Sequence, residues 1–124
     1  MAIDLLLVDD DASFRSAARA VLGEAGFGVT AEAGSGREAI DAVARLRPGL
    51  VLLDVQLPDL DGFEVLRRLR ALPTAPSVVL ISTREAADYG RRIKDSGAVG
   101  FITKAQLSGA VLHATLQAAT KGGT

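Results

Sequence analysis

Five apolar stretches of strand length alternate with longer stretches of helical periodicity along this chain, and this alternation restricts the fold more than any other feature. The predicted strands are residues 3–8, 27–33, 50–54, 77–81 and 99–103. Between them, apolar residues recur every three or four positions, which is typical of amphipathic helices. Strands that alternate with helices favour parallel pairing, because each helix carries the chain back across the sheet. The sequence therefore predicts one doubly wound α/β domain with helices on both faces of a parallel sheet.

Capping patterns mark the starts of two of the predicted helices. Ser35 and Glu38 have the spacing of a capping box, in which each side chain bonds a free backbone N–H of the other residue. Asp61 and Glu64 repeat that spacing before the third helix. The second helix is expected to end before Pro48, since proline cannot continue the hydrogen-bond ladder.

Apolar positions predict which side of each helix faces the sheet. The first helix is expected to end near residues 23–26, and the fourth to cover residues 85–95. The fifth is expected to begin near Gln106. The side chains predicted to face inward on the first, second and fifth helices are Phe14, Ala17, Ala18, Val21, Leu22, Ala39, Val43, Leu46, Leu107, Val111, Ala114 and Ala118.

Length and composition restrict the number of domains and the kinds of partner. The 124 residues fit one domain, predicted over residues 1–120, with residues 121–124 as a flexible tail or linker stub. A net charge of -1 lacks the basic character of nucleic-acid binders, so no direct nucleic-acid binding is expected. The chain has no cysteine, no apolar run of membrane-spanning length and no basic segment after Met1. We therefore expect a cytoplasmic protein that does not enter the membrane.

Polar side chains stand at the carboxyl ends of four of the five predicted strands. They are Asp9, Asp10, Asp54, Ser82, Thr83 and Lys104. The carboxyl ends of parallel strands share one edge of the sheet, and ligands bind there in open α/β folds. Three carboxylates, two hydroxyl groups and one ammonium group are therefore expected to meet on one rim.

This set of side chains predicts a magnesium site. Three carboxylates close together repel one another unless a cation is bound, and Mg²⁺ prefers open sites with oxygen ligands. Zinc is disfavoured, since the chain has no cysteine and its one histidine, His113, lies in the last helix. A carboxylate beside the metal can attack phosphorus and form an aspartyl phosphate, while the metal and a lysine neutralise the developing charge.

Several short motifs occur in a characteristic order along the chain. They are residues 8–10, Leu53 and Asp54, Pro58, Asp61 and Gly62, Ser82 and Thr83, and residues 97–104. Together they resemble the receiver domain of two-component response regulators over essentially the whole chain. The resemblance implies a flavodoxin-like (βα)5 fold with a five-stranded parallel sheet in the order 2-1-3-4-5. It also implies a signalling domain that catalyses only its own phosphorylation and slow dephosphorylation.

The resemblance implies a role for each matching residue. Asp54 would accept a phosphoryl group from a phosphohistidine. The Mg²⁺ ligands would be Asp9, acting largely through metal-bound water, with Asp10, Asp54 and the backbone carbonyl of Gln56. The groups that contact the phosphate would be Ser82, Thr83 and Lys104. The residues that move on phosphorylation would be Ser82 and Phe101, which would alter the face made by the fourth helix, fifth strand and fifth helix.

The same resemblance implies the partners. A sensor histidine kinase or a phosphotransfer protein would supply the phosphoryl group. An output domain after the receiver and a phosphorylation-linked homodimer are both compatible with the family.

The sequence departs from the family pattern at three places. Ala105 follows Lys104 where many members have proline after a cis bond, and we expect the bond to be cis here as well. Phe101 lacks the hydroxyl of the tyrosine often found there, so switching would work through packing. Gln56 and Thr83 occupy positions that line the phosphate in this family, and we expect them to set the lifetime of the phosphorylated state.

Other interpretations of the same residues remain open at this stage. Asp9, Asp10 and Asp11 also fit a solvated turn that caps a helix. A phosphohydrolase of the haloacid dehalogenase type would use an aspartate nucleophile with Mg²⁺, but it needs an acid where this chain has Gln56 and a cap insertion to hold its substrate. A pseudo-receiver would keep the fold without phosphorylation.

Overall fold

The computed structural model describes residues 3–122, and five strands alternate with five α-helices along them. The strands are β1 (Ile3–Val8), β2 (Phe27–Ala33), β3 (Leu50–Asp54), β4 (Ser77–Ser82) and β5 (Gly100–Thr103). The helices are α1 (Ala12–Glu24), α2 (Gly36–Leu46), α3 (Gly62–Arg70), α4 (Arg92–Ser96) and α5 (Gly109–Gly122). Two short 3-10 helices, Ala86–Tyr89 and Lys104–Gln106, precede α4 and α5.

The five strands form one parallel sheet in the order β2-β1-β3-β4-β5, which confirms the predicted fold class. The chain runs outward from β1 to β2 and then crosses back to β3 on the other side of β1. The direction of winding therefore reverses between β1 and β3, and this reversal opens a crevice beyond their carboxyl ends. Asp9 and Asp54 border this crevice, since they stand at the ends of these two strands.

Helices cover both faces of the sheet, so its central strands are buried on both sides. All five residues of β3 are buried. On one face, residues of β1, β3 and β4 pack against α2 and α3 through Leu6, Val51, Leu53, Leu80, Val43, Val65 and Leu66. On the other face they pack against α1 and α5 through Leu5, Leu7, Leu52, Ile81, Ala18, Leu22 and Leu112. Each fully buried leucine contributes about 1.5–3 kcal/mol, which holds β3 and the carboxylate at its end in place.

Three helices begin at residues whose side chains bond free backbone N–H groups. Asp11 accepts from Ser13 and Phe14 at the start of α1, and Asp61 accepts from Phe63 at the start of α3. Ser35 accepts from the N–H of Glu38 at the start of α2.

The two predicted capping boxes are only half formed. The Glu38 carboxylate accepts from the N–H of Gly34 and not from that of Ser35. The Glu64 carboxylate instead pairs with Arg67 and Arg68 on its own helix. In both cases the glutamate bonds a donor other than the predicted N–H.

Asp59, in the loop after β3, connects that loop to the start of α2. Its two carboxylate oxygens accept from the N–H groups of Gly36, at 2.7 Å, and Arg37, at 3.0 Å. These hydrogen bonds, that from Gly36 first, lower the pKa of Asp59 below its ordinary value. Since the loop also follows Asp54, this contact restrains the chain near the carboxyl end of β3.

The predicted fourth helix over residues 85–95 is wrong, because the structure divides this segment into two short helices. A 3-10 helix ends at Tyr89, and α4 begins only at Arg92. Gly90 between them has a φ of 58° and a ψ of -129°, which interrupts the helical path. L side chains rarely adopt this conformation, so glycine permits the break.

The predicted inward face of the fifth helix is also wrong. Leu107 precedes α5 in extended conformation, and the helix begins at Gly109, so counting helical turns from Leu107 selects the wrong side. Leu112 of α5 is fully buried, whereas Val111 is 36% exposed. Ala114 and Ala118 are exposed as well. Three further positions predicted to face inward are exposed instead: Ala17, Val21 at 44% and Leu46 at 47%.

The predicted cis bond between Lys104 and Ala105 is wrong, since residues 3–122 contain no cis peptide bond. After β5 the chain turns through the 3-10 helix Lys104–Gln106, in which the Thr103 hydroxyl donates to the Gln106 side chain. A cis bond before a residue other than proline costs about 3 kcal/mol. The trans turn avoids that cost and brings Lys104 into contact with Asp9 and Asp54.

The structure describes the end of the chain only in part. Helix α5 continues through Gly122, and the last two residues of the predicted tail lie outside the described residues. Within residues 3–122, no helix combines the length and the apolar character that a membrane crossing requires.

Gly62, the first residue of α3, lies directly against the backbone at the end of β3. A Cβ atom at this position would stand 2.5 Å from the carbonyl oxygen of Asp54 and 2.6 Å from the Cα of Val55. Both neighbours are backbone atoms of a buried strand end, so they cannot rotate away. Only glycine allows α3 to approach Asp54 this closely.

We expect Gly62→Ala to destabilise the protein by about 1–3 kcal/mol, because the added methyl group overpacks a rigid contact. Gly23→Ala is the matched control, since Gly23 is an exposed position of α1 with open space around it. That change should stabilise the helix by about 0.5–1 kcal/mol. Urea denaturation measures both, and equal effects of the two substitutions would contradict this account of Gly62.

We expect Asp59→Ala to lower stability more at neutral pH than at acid pH. Because folding lowers the pKa of Asp59, its contribution is fully present above about pH 4 and is lost as the pH falls through the folded-state value. The measurement is the urea midpoint of wild type and variant between pH 7 and pH 3. Asp41→Ala removes an exposed carboxylate of α2 as a control. A gap between wild type and Asp59→Ala that is as large at pH 3 as at pH 7 would contradict the prediction.

Candidate functional site

The carboxyl edge of the sheet brings together side chains from three strand ends. Asp9 follows β1, Asp54 ends β3, and Lys104 follows β5. Asp9 is fully buried and Asp54 is 4% exposed, whereas Asp10 is exposed. Each of Asp9, Asp10 and Asp54 offers one carboxylate oxygen, and these three atoms lie within 4.8 Å of one another. The three carboxylates therefore form one cluster that opens to solvent on the side of Asp10.

Lys104 bridges the two buried carboxylates of this cluster. Its Nζ lies 2.5 Å from Oδ2 of Asp9 and 3.1 Å from Oδ2 of Asp54. The ammonium also stands 4.8 Å from the centre of the Phe14 ring, which limits its access to water on the α1 side. One cation thus neutralises part of the charge of two carboxylates that share a poorly solvated space.

The pKa values at this edge shift in the directions that burial and charge predict. Burial raises the pKa of Asp54; the N–H of Gln56 and the ammonium of Lys104 lower it in part, while the charge of Asp9 raises it further. Burial lowers the pKa of Lys104, but the hydrogen bonds and charges of Asp9 and Asp54 outweigh it and raise the pKa above its ordinary value. The two carboxylates therefore stabilise the charged form of Lys104, whereas burial makes the charged form of Asp54 less favourable.

Backbone hydrogen bonds hold the carboxylates in one orientation. Oδ1 of Asp54 accepts from the N–H of Gln56 at 3.1 Å, and Oδ1 of Asp9 accepts from the N–H of Asp11 at 2.9 Å. Each aspartate thus directs its other oxygen, Oδ2, toward Lys104. The side chain of Gln56 is exposed, and the predicted role of its carbonyl as a metal ligand stays a prediction.

Arg15 is a residue of this site that the sequence did not single out. Its guanidinium donates to the backbone carbonyl of Asp9 and to the carboxylate of Glu32 on β2. The first of these bonds ties α1 to the backbone that carries Asp9. The sequence does place Arg15 one helical turn after Asp11, the last of three consecutive aspartates. This spacing does not indicate which group the guanidinium contacts.

The two hydroxyl residues after β4 differ in their surroundings. Ser82 is fully buried at the end of β4, and its oxygen accepts from the N–H of Arg84 at 3.0 Å. The same oxygen lies 2.6 Å from the phenol oxygen of Tyr89. Thr83, by contrast, is exposed. The structure therefore separates the predicted pair into one enclosed hydroxyl and one that faces solvent.

Phe101, the predicted aromatic switch residue, is half-buried on β5 beside Tyr89. The two ring centres lie 5.9 Å apart in an edge-on arrangement. Tyr89 also meets Phe63 of α3 edge-on, at 5.7 Å. Tyr89 is not among the predicted site residues, and it reaches Ser82 from the end of the short helix that precedes Gly90.

The side chains at this edge fit a hard divalent cation. The three clustered groups are carboxylates, which are ligands that Mg²⁺ prefers, and the exposed side of Asp10 leaves space for water and phosphate ligands. Oδ2 of Asp9 is fully buried with the ammonium of Lys104 as its neighbour, so a second positive charge is favourable there. A zinc site is a poor fit, because the clustered ligands include neither histidine nor cysteine.

Known proteins with similar sequences and structures place the chain in a family. The family model described as "Response regulator receiver domain" matches residues 5–117. The transcriptional activator protein ExaE of Pseudomonas putida is 40% identical over 111 residues, which cover 89% of this chain and 52% of ExaE. The DNA-binding response regulator MtrA of Mycolicibacterium paratuberculosis is 43% identical over 100 residues, which cover 81% of this chain and 44% of MtrA.

Solved structures agree with this assignment. The response regulator domain of Thermotoga maritima CheB superposes with a TM-score of 0.84 at 26% identity, covering 97% of this chain and 98% of that domain. The chain spans about half the length of the curated relatives it matches. It belongs to the response regulator receiver domain family of two-component signalling proteins.

Proposed function

We propose that this chain is a Mg²⁺-dependent phospho-acceptor switch whose acceptor is Asp54, within a receiver unit of residues 1–120. The observation that carries the proposal is the convergence of Asp9, Asp10, Asp54 and Lys104 at the carboxyl edge of the sheet. Among the described side chains, this is the one cluster of three carboxylates that could hold a metal ion, and a half-buried ammonium group lies against it.

Asp54 is suited to attack phosphorus. Burial raises the free energy of its charged form, so the carboxylate is more reactive than a solvated one. In the proposed reaction a carboxylate oxygen of Asp54 forms a bond to phosphorus. The bond between phosphorus and the histidine nitrogen of the donor breaks, and that nitrogen keeps the electron pair. Hydrolysis of the aspartyl phosphate by water later returns the carboxylate and releases inorganic phosphate.

The surrounding groups stabilise the charge that this reaction develops. Asp9, Asp10, Asp54 and the carbonyl of Gln56 would hold Mg²⁺, with Asp9 acting largely through water. Bound Mg²⁺ would offset the repulsion between the carboxylates and polarise the phosphoryl oxygens. Lys104 would turn from Asp54 to the phosphoryl group, and the hydroxyls of Ser82 and Thr83 would donate to it.

The added dianion would favour a second arrangement of the chain. Ser82 and Phe101 would move toward the site, and the face made by α4, β5 and α5 would change. The proposed partners are a sensor histidine kinase or phosphotransfer protein as donor, and an output domain or second copy of the chain as receiver of the change. ExaE is a transcriptional activator protein and MtrA is a DNA-binding response regulator, which supports an output domain as the receiver of the change. We place this activity in the cytoplasm, where such kinases present their phosphohistidines.

We expect incubation with Mg²⁺ and a small phosphodonor such as acetyl phosphate to add about 80 Da to the protein, the mass of one phosphoryl group. The adduct should be acid-labile, as acyl phosphates are. Intact-mass spectrometry checks this, with EDTA and Asp54→Asn as controls that abolish the gain. If neither small donors nor the cognate kinase produce the adduct, the chain is a pseudo-receiver.

We expect Asp10→Asn to weaken Mg²⁺ binding at least about tenfold, since it removes one charged ligand of the proposed site. Asp11→Asn is the matched control: Asp11 lies next in sequence, but its carboxylate caps α1, and asparagine caps helices equally well. Isothermal titration calorimetry with MgCl₂ measures both affinities. An equal loss in the two variants would show diffuse acidic attraction and not a site.

A further inference from the structure

The hydrogen bond between Ser82 and Tyr89 joins the proposed switch serine to a residue outside the predicted site. The oxygen atoms lie 2.6 Å apart, which is short for two neutral hydroxyl groups. Ser82 is fully buried, so no bulk water competes for this bond. Tyr89 is half-buried and packs against the core face formed with α2 and α3.

A serine hydroxyl has one proton to donate and two lone pairs to accept with. One lone pair of Ser82 is taken by the N–H of Arg84. If Ser82 donates its proton to Tyr89, none is left for a phosphoryl oxygen on Asp54. If Tyr89 donates instead, the proton of Ser82 is free. Phosphorylation and Tyr89 therefore compete for this hydrogen atom when Ser82 is the donor, which is the arrangement assigned here to the unphosphorylated chain.

The surroundings of Tyr89 connect this competition to the surface between α3 and α4. The ring of Tyr89 meets Phe63 edge-on, and the guanidinium of Arg92 lies 4.2 Å above the Phe63 ring. Arg92 in turn pairs with Asp61 at 3.1 Å. These contacts border a cavity of about 390 Å³ between the two helices, lined by Phe63, Arg67, Arg70, Arg92, Asp95 and Ser96.

The backbone around Tyr89 allows its ring to move without disturbing the sheet. Tyr89 is the last residue of a 3-10 helix, and Gly90 follows it at a φ of 58°. The preceding residues 83–88 are exposed, so the segment has few packing contacts to break. Phe101 shares the aromatic contact with Tyr89 but has no hydroxyl with which to sense Ser82.

We propose that Tyr89 is the positioning residue that couples Ser82 to the α3–α4 surface, supplying the hydroxyl that Phe101 lacks. The inference rests on the proposed phosphorylation of Asp54. When the phosphoryl group takes the proton of Ser82, Tyr89 loses its role as acceptor and its ring shifts. That shift changes the contacts of Phe63 and Arg92, so the signal reaches the α3–α4 cavity as well as the face made by α4, β5 and α5.

A movement of Tyr89 can be measured directly by fluorescence, because the chain has no tryptophan and Tyr89 is its only tyrosine. Tyrosine emission of the wild-type chain therefore reports on Tyr89 alone. We expect Mg²⁺ with fluoroberyllate, a phosphoryl mimic, to change that emission. Ser82→Ala should show the changed emission already without the mimic and respond no further, since its hydrogen bond to Tyr89 is gone.

A second variant measures the competition itself. Tyr89→Phe removes only the phenol oxygen, and we expect it to bind fluoroberyllate with Mg²⁺ about fivefold more tightly, as expected when one competing hydrogen bond is lost. Calorimetry measures the affinity. Thr120→Val is the control, since its hydroxyl bonds only a carbonyl of its own helix α5, and it should leave both readouts unchanged.

The outcomes separate this inference from the proposed function. If the wild type binds the mimic by calorimetry but its tyrosine emission and the affinity of Tyr89→Phe stay unchanged, the coupling role of Tyr89 is wrong and the phospho-acceptor proposal stands. If the wild type does not bind the mimic with Mg²⁺ at all, both proposals are overturned.

Discussion

The contact of one ammonium group with two buried carboxylates is the interaction on which the rest of this structure depends. Asp9, Asp54 and Lys104 stand at the ends of three different strands, β1, β3 and β5. The contact therefore forms only when all three strands are in place. Unpaired, two carboxylates in this poorly solvated space would repel each other and favour protonation. The charge balance of the site therefore depends on the correct tertiary fold.

The packing around β3 fixes the position of Asp54 at the end of the strand. Every residue of the strand is buried, and α3 begins against its last backbone atoms at Gly62. Asp59 holds the following loop to α2 by two backbone hydrogen bonds. The carboxylate of Asp54 thus sits on a rigid support, whereas residues 83–88 are exposed and Gly90 interrupts the helical path after them. A rigid acid cluster beside an exposed, interrupted segment would suit the proposed two-state switch.

Local patterns in the sequence were sufficient for the strands, for the order of elements and for the residues of the acid cluster. Strands β1, β2 and β3 have the predicted bounds, because runs such as Leu50–Asp54 are apolar on both faces and end at a polar residue. The family motifs implied the strand order. The bounds of a strand depend on residues that are close together in the sequence. Short-range interactions therefore determine them, and the sequence is sufficient to predict them.

Only the tertiary structure decided the features that depend on distant contacts. The break at Gly90, the start of α5 at Gly109 and the trans bond after Lys104 each follow from how the chain must pack on the sheet, and helical periodicity cannot foresee that. The same holds for the contacts of Arg15 with Asp9 and of Tyr89 with Ser82. The sequence determined which residues carry chemistry; folding decided which of them touch, because a contact between distant residues depends on the position of every element between them.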